Sequence, residues 1–489
     1  MFKNVLFYIA ILLIFGMGIF SSLKLGAYVY PDHPGLDRPA EQSSEAPVVT
    51  PSKAEGPAPN VFSGYLMKNL QQPLGVLLLQ VIVVLASARA AGALFHRLFR
   101  LRVVGEIIAG ILLGPSLLGM LSPNTMNFLF PPQSLDILRL LSQIGVILFM
   151  FTVGTELNVQ RLRQSAHAAV LVSHASIIIP FFLGAAFSLL MYRYLAPPNG
   201  SYYAFALFIS VSMSITAFPV LARILEERRL LNTHVGSTAI ACAAVDDITA
   251  WCLLAVVVAI VKAGGFEGAI LTIVLTLLFI VFMLRLVKPQ VERMMTRWVA
   301  RDTPAVGSAA LILVLIFASA LFTEIIGIHA LFGAFLAGVV MPSHNRLRTL
   351  LTERLELLTT SFLLPLFFAF SGLRTQIGLI NGWTGWLMCA GVILIAVVGK
   401  LFGSALAARL TGMSWNNSLA VGILMNTRGL VELIVLNVGY DLGILTPAAY
   451  SIMVLMALAT TFMTGPLLSL LETSKERGVE REGVQRLSH

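Results

Sequence analysis

Charge is scarce in this chain. Only 12% of its 489 residues are Asp, Glu, Lys or Arg, about half the share of a soluble globular domain. So few charged groups cannot cover a water-facing surface, which excludes an ordinary soluble enzyme and an intrinsically disordered chain alike. Cysteine is scarcer still. Cys242, Cys252 and Cys389 each lie inside an apolar run, none belongs to a C-x-x-C pair, and no His stands at ligand spacing. A disulfide framework and a cysteine-based metal site are excluded, and the three thiols read as small apolar residues. The phosphate-binding pattern G-x-x-x-x-G-K-[ST] is missing too, because Gly399-Lys400 has neither the upstream Gly nor the following hydroxyl. Nothing in the pattern asks for a nucleotide or any other cofactor.

Apolar residues dominate instead. They make up 57% of the chain, and the mean hydropathy is +0.87. This is the composition of a polytopic, all-α membrane protein whose main partner is the lipid bilayer. The net charge of +9 does not point to nucleic acid. Its basic residues fall between apolar runs, where they set orientation in a membrane.

A helix needs about 20 apolar residues to cross the hydrocarbon. Thirteen candidates follow residue 70, near 73–95, 103–121, 136–156, 166–194, 201–224, 235–262, 268–287, 305–326, 328–341, 358–373, 384–411, 417–439 and 447–471. If the first runs outside to inside, the inner loops and tail hold 21 of the 33 basic residues, against 7 on the outer side. The positive-inside rule then places the C-terminus in the cytoplasm. Two sets of six spans in opposite sense, linked by 268–287, predict an inverted repeat, the architecture of secondary transporters.

The chain divides into four parts on this basis. Residues 1–24 read as a signal peptide or signal anchor, and the absence of a clean A-x-A site favours an uncleaved anchor. Residues 25–69, rich in Pro, Ser, Ala and acid, form an extracytoplasmic polar linker. Residues 70–471 are the transmembrane domain, and 472–489 a short cytoplasmic tail.

The ionisable residues inside the spans carry the chemistry. A carboxylate at mid-membrane costs about 2.5–3.5 kcal/mol on insertion scales, so it is seldom there without a task. Asp246 and Asp247 stand near the middle of 235–262, and adjacent helical residues point about 100° apart. One can therefore face a cavity while the other meets a partner. Lys400, at matching depth in 384–411, is the natural counter-charge. Pro219 in SVSMSITAFPVLARIL removes a backbone donor and clashes with the Ile215 carbonyl one turn earlier, which reads as a broken helix or a proline kink, with Ser212, Ser214 and Thr216 just before it. Freed carbonyls there can coordinate a cation. The matching span of the second half has Asn426, Thr427 and Arg428 before Gly429, and Arg428 and Glu432 are spaced to pair along one face. His174 and His329 read as packing residues, Glu106, Glu156 and Glu324 as interfacial ones, and Gly110, Gly114 and Gly119 as a close-packing face.

GEIIAGILLGPSLLG (105–119), AVDDITAWCLLA (244–255), IHALFGAFLAGVVMP (328–342) and MNTRGLVELIVLNVG (425–439) occur in this order. By these four motifs the chain resembles the monovalent cation/proton antiporter superfamily in its second branch. The likeness is close to the plant-type cation/H+ exchangers and their bacterial relatives. The resemblance implies a thirteen-helix sodium/proton-antiporter fold with crossed broken helices, a homodimer and elevator-like alternating access. It implies that Asp247 is the carboxylate that binds the proton or the transported alkali cation, and that Asp246 is its neighbour paired with Lys400. The C-terminal nucleotide-binding domain of the glutathione-gated relatives and the long hydrophilic tail of the plant exchangers are not expected here, so the regulation they imply is not carried over.

The expectation is a transporter, not an enzyme, exchanging H+ for Na+ or K+ across a bacterial inner membrane. Asp247 would be completed by oxygens around Ser212, Ser214, Ile215 and Thr216. The alternatives are a gated potassium efflux pathway and a sodium-coupled symporter on the same fold. Two carboxylates and a lysine at one depth further suggest a two-proton, electrogenic cycle.

Overall fold

The computed structural model describes residues 2–30, 69–70, 72–99, 102–156, 166–198, 200–230, 233–262, 266–300, 305–342 and 353–487. The linker between 31 and 68, and Arg100, Arg161, Arg163, Arg301, Arg346 and Arg348, which the charge count assigned to inner loops, lie outside them. Every described regular element is helical. We label those that matter α1 (Phe2–Val29), α2 (Pro73–Phe99), α3 (Arg102–Leu113), α4 (Pro132–Glu156), α5 (Ala166–Leu195), α6 (Tyr202–Ser214), α7 (Phe218–Glu227) and α8 (His234–Lys262). They continue as α9 (Phe266–Phe282), α10 (Ala305–Ile326), α11 (Ala330–Val339), α12 (Leu364–Leu373), α13 (Gly382–Val397), α14 (Trp415–Met425), α15 (Leu430–Asp441) and α16 (Pro447–Leu487).

Among the described residues, eleven helices are long and apolar enough to cross a membrane, or twelve with the bent α14–α15 pair counted as one span. Two of the thirteen apolar segments, 201–224 and 328–341, instead contain helices too short to cross alone. Hydropathy averages across such breaks and cannot see them. The second follows a tight turn in which Gly327 and His329 both have positive φ, 99° and 94°. Glu324 reaches over that turn and accepts from the Ala330 backbone N–H at 2.8 Å, satisfying one free donor of the new helix.

Lipid-facing and protein-facing sides follow helical periodicity. Leu74, Leu78 and Ile82 of α2 are exposed along one stripe, while Gln80, Val84, Ala88 and Gly92 are buried along another. Its polar member, Gln80, donates through Nε2 to Ser134 Oγ at 2.6 Å and Leu129 O at 2.8 Å, while its Oε1 has no partner among the described residues. Helix α1 lies along α5, with Phe15 edge-on to Phe182 at 5.4 Å between centroids and Tyr30 donating to Leu189 O at 3.2 Å.

Glycine permits the tightest crossings. A Cβ on Gly110 would sit 2.2 Å from Ala369 O in α12, and one on Gly338 would sit 2.2 Å from Phe151 O in α4. Backbone cannot yield there as a flexible side chain could. Gly338→Ala is therefore expected to push α11 off α4 and cost about 1–3 kcal/mol. A lower thermal-unfolding midpoint in detergent would register it, and an unchanged midpoint would refute the crossing.

Candidate functional site

Two helices break where the sequence places prolyl and polar residues, and the breaks cross. Helix α6 ends at Ser214, Ile215 is extended with φ −73° and ψ 140°, and α7 begins at Phe218. Pro219 falls in the first turn of α7, where a missing N–H leaves no bond unmade. Helix α14 ends at Met425, and α15 resumes at Leu430 after a 41° bend. The Ala217 N–H donates to Thr427 O at 3.0 Å, joining the two breaks. Gly429 is required at this crossing, because its Cβ would stand 2.8 Å from the Val220 side chain.

Helix α8 brings both aspartates to this point, in different environments. Asp246 is saturated. Its Oδ1 accepts from Ser173 at 2.5 Å, and its Oδ2 from Thr216 at 2.6 Å, Ser176 at 2.7 Å and Lys400 Nζ at 3.0 Å. Lys400 also donates to Ser176 O at 3.1 Å and to Ser214 O. It stands in the π-helical turn Val398–Phe402, which follows α13. Such a turn inserts an extra residue and re-aims side chains, a device frequent at functional sites. Asp246 and Lys400 are both wholly buried.

Whereas Asp246 holds Lys400, Asp247, 3% exposed, forms no ion pair among the described residues. The Phe218 backbone N–H donates to its carboxylate, so the first turn of α7 faces a negative charge as helix N-termini favour. Its Oδ1 has no hydrogen-bond partner among the described residues. The quarter turn between successive helical residues separates a fully bonded carboxylate from a half-bonded one.

Arg428 and Glu432 pair at 3.1 Å, both wholly buried. The same guanidinium donates to Ser212 O at 2.7 Å and Met213 O at 2.5 Å. Arg428 and Lys400 together therefore occupy three consecutive carbonyls at the C-terminal end of α6, the end that attracts cations. Composition alone did not divide these carbonyls between two side chains. Buried atoms without a partner also include Ser212 Oγ, Glu432 Oε1 and both polar atoms of the Asn426 side chain. Thr427 Oγ1 turns back to Leu424 O, and Ser214 Oγ donates to Ser210 O at 2.7 Å and Ile177 O at 3.1 Å.

The structure thus brings Asp246, Asp247, Lys400, Ser214, Ile215 and Thr216 to one point, with Arg428 and Glu432 braced against α6. Ser173 and Ser176 were missed at the level of sequence, although their i, i+3 spacing marks one polar face on α5. Among the described residues no group of three His, Cys, Asp or Glu could hold a resident metal. His174 Nδ1 lies 2.8 Å from Val170 O, as a packing histidine would. Glu106 departs from the interfacial expectation. It is 4% exposed and paired with Arg102 at 3.2 Å, because α2 covers the face of α3 that carries it.

Two cavities flank α15. One of about 380 Å3 is lined by Arg102, Glu106, Val220, Arg428, Gly429 and Leu433, among others. The second, of about 240 Å3, is lined by Gln143, Glu324, His329, Ile434, Asn437 and Asp441, among others. From Leu430 to Asp441 is about 17 Å along a helix, so the cavities approach from opposite ends. Leu433 and Ile434, with Phe367 and Phe368, stand where one cavity gives way to the other.

Comparison with known proteins agrees with this geometry. A family model described as "Sodium/hydrogen exchanger, transmembrane" matches residues 77–471. The Na+/H+ antiporter NhaS4 of Synechocystis is 43% identical over 394 residues, covering 80% of this chain and 96% of the relative. Cation/H+ antiporter 17 of Arabidopsis thaliana is 40% identical over 419 residues, covering 86% of this chain and 51% of the relative. The chain thus spans about half the length of that plant protein. A solved structure of the sodium proton antiporter MjNhaP1 from Methanocaldococcus jannaschii at pH 8 superposes with a TM-score of 0.58. It is 16% identical, and the match covers 81% of this chain and 96% of that one, so it speaks for the fold. With crossed broken helices, a buried aspartate pair and a family match over most of its length, this chain belongs to the sodium/hydrogen exchanger family.

Proposed function

We propose that the protein is a secondary antiporter that exchanges protons for a monovalent alkali cation, Na+ or K+, with Asp247 carrying each in turn. The observation that carries this reading is the free Oδ1 of a buried carboxylate beside an aspartate–lysine pair that is already complete. An ionised, uncompensated Asp247 is costly in the membrane interior. Binding a proton or a cation removes that cost, and competition for one carboxylate couples the two fluxes. Coupling holds provided the unloaded, ionised site does not cross.

Oxygens around Ser212, Ser214, Ile215 and Thr216 supply further ligands in this reading. The orphaned Ser212 hydroxyl is the foremost among them, since its carbonyl already serves Arg428. Asn426, Thr427, Arg428 and Glu432 hold the second break in register with the first. The reaction class is that named for the relatives, a Na+/H+ antiporter and a cation/H+ antiporter.

The finer architecture belongs to the same proposal. The short helices α6–α7 and α11 complete thirteen spans between residues 70 and 471, arranged as two inverted sets of six. Helix α1 is a retained anchor that precedes them, and two copies form a homodimer in a bacterial inner membrane. The basic residues at the Arg97–Arg102 end make that end cytoplasmic, together with the C-terminus. The larger cavity then opens inward.

Purified protein in proteoliposomes, read with an internal pH dye, should move protons when Li+, Na+, K+ or Rb+ is added. Absence of a response to every one of them overturns the reading. Pro219→Ala adds a backbone N–H to the first turn of α7, close to Asp247. The apparent KM for the cation should change by about fivefold, the equivalent of about 1 kcal/mol for one hydrogen bond. Unaltered kinetics would leave Pro219 as a kink alone.

A further inference from the structure

We infer that Glu106 and Arg102 together set the charge of the larger cavity, and so the affinity with which the transported cation is drawn towards Asp247. This rests on the antiporter reading and adds a residue pair to it. Among the described residues, five ionisable side chains line the cavity, Arg89, Arg102, Glu106, Glu356 and Arg428. Arg428 is answered by Glu432 at 3.1 Å. Of these described groups there remain two arginines against two carboxylates, an even balance. A passage for cations that contained the arginines alone would repel its own substrate.

The two carboxylates are not equal in this balance. Glu356 is exposed, where water and salt screen it. Glu106 is buried in a wall that includes Val103, Ile107 and Phe149, where the field of a charge is focused. Its place is built by both neighbouring helices. Arg102 Nε holds Oε1 at 3.2 Å along α3. Gly92 of α2 makes room, since a Cβ there would stand 3.1 Å from Arg102 Cγ and 3.2 Å from Glu106 Cγ. Arg89, three residues before Gly92 on α2, donates to Ser361 O at 2.5 Å, and both residues line the cavity. The floor is formed by Val220, Arg428 and Gly429, where the two breaks cross. A cation arriving there is beside the turn whose Phe218 N–H holds Asp247.

Removing the Glu106 charge shifts the cavity towards positive, and removing the Arg102 charge shifts it towards negative. The test is steady-state cation/proton exchange by wild type, Glu106→Gln, Arg102→Gln and the double variant in proteoliposomes, at low and high choline chloride. Glu106→Gln should raise the apparent KM for the cation on the order of tenfold, with kcat little changed. Arg102→Gln should lower it, the double variant should return near wild type, and added choline chloride should narrow every gap. Arg102→Gln keeps the buried carboxylate, so its lowered KM stands as a test even if Glu106→Gln fails to fold. Equal KM values in all four proteins, or a double variant no better than Glu106→Gln, would make the pair structural and overturn the inference while exchange itself persists. A wild type that exchanges nothing would overturn the antiporter reading, and this inference with it.

Discussion

Asp247→Asn is expected to abolish cation/proton exchange, by at least about a hundredfold, while leaving the protein folded. Loss of a charge that contacts its ligand directly costs about 2–5 kcal/mol or more, and here the charge is also the proton carrier. Asparagine keeps the shape and can still accept from the Phe218 N–H. It removes an uncompensated buried charge, so stability should hold or rise. Asp246→Asn should behave in the opposite sense. It takes the counter-charge from Lys400 Nζ, 3.0 Å away and wholly buried, and breaking such a pair from one side costs about 3–5 kcal/mol. Thermal unfolding in detergent and dye-monitored exchange separate the two variants. Near-normal exchange by a monodisperse Asp247→Asn protein, or equal unfolding midpoints for both variants, would reject the division of labour.

That division shows how much of the site was legible beforehand. Hydropathy and counting along a helix give depth, and depth alone put Asp246, Asp247 and Lys400 at one level. It does not give azimuth or neighbours. Nothing in the dipeptide says that the first aspartate takes four donors, because three of them come from Ser173, Ser176 and Thr216 on other segments. The break after Ser214 was readable from Pro219, since proline acts locally. The capping of its carbonyls by Arg428 was not, because the partners Ser212 and Met213 are 216 and 215 residues away. Glu106 failed for a related reason. Its place near a span end suggested an interface, and only the packing of α2 on α3 buries it. The π-helical turn at Lys400 has no sequence mark that periodicity can register, as it changes the count by a single residue.

The contacts of Lys400 also bear on stoichiometry, and they favour one proton per cation over the two-proton cycle that residue types suggest. An ammonium has three donors, and Lys400 directs them at Asp246 Oδ2, Ser176 O and Ser214 O. Asp246 in turn accepts from Ser173, Ser176, Thr216 and Lys400, leaving no oxygen in need of a proton. A neutral lysine would abandon a carbonyl at the end of α6 and leave Asp246 without its cation. On the proposed reading the pair is expected to persist while Asp247 alone changes its load, which would make each turnover electroneutral. A tenfold proton gradient should then be balanced by a tenfold cation gradient, with no net dye response. An imposed potential should leave that balance point unmoved, whereas one net charge per cycle would feel about 2.3 kcal/mol per 100 mV. Symmetric thiocyanate can collapse any potential that exchange itself creates, and valinomycin is avoided because K+ is a candidate substrate. Balance against a hundredfold cation gradient, or a balance point that follows voltage, would show that Lys400 gives up its proton. In the electroneutral cycle Lys400→Ala loses stability but keeps the one-to-one balance in whatever protein remains folded.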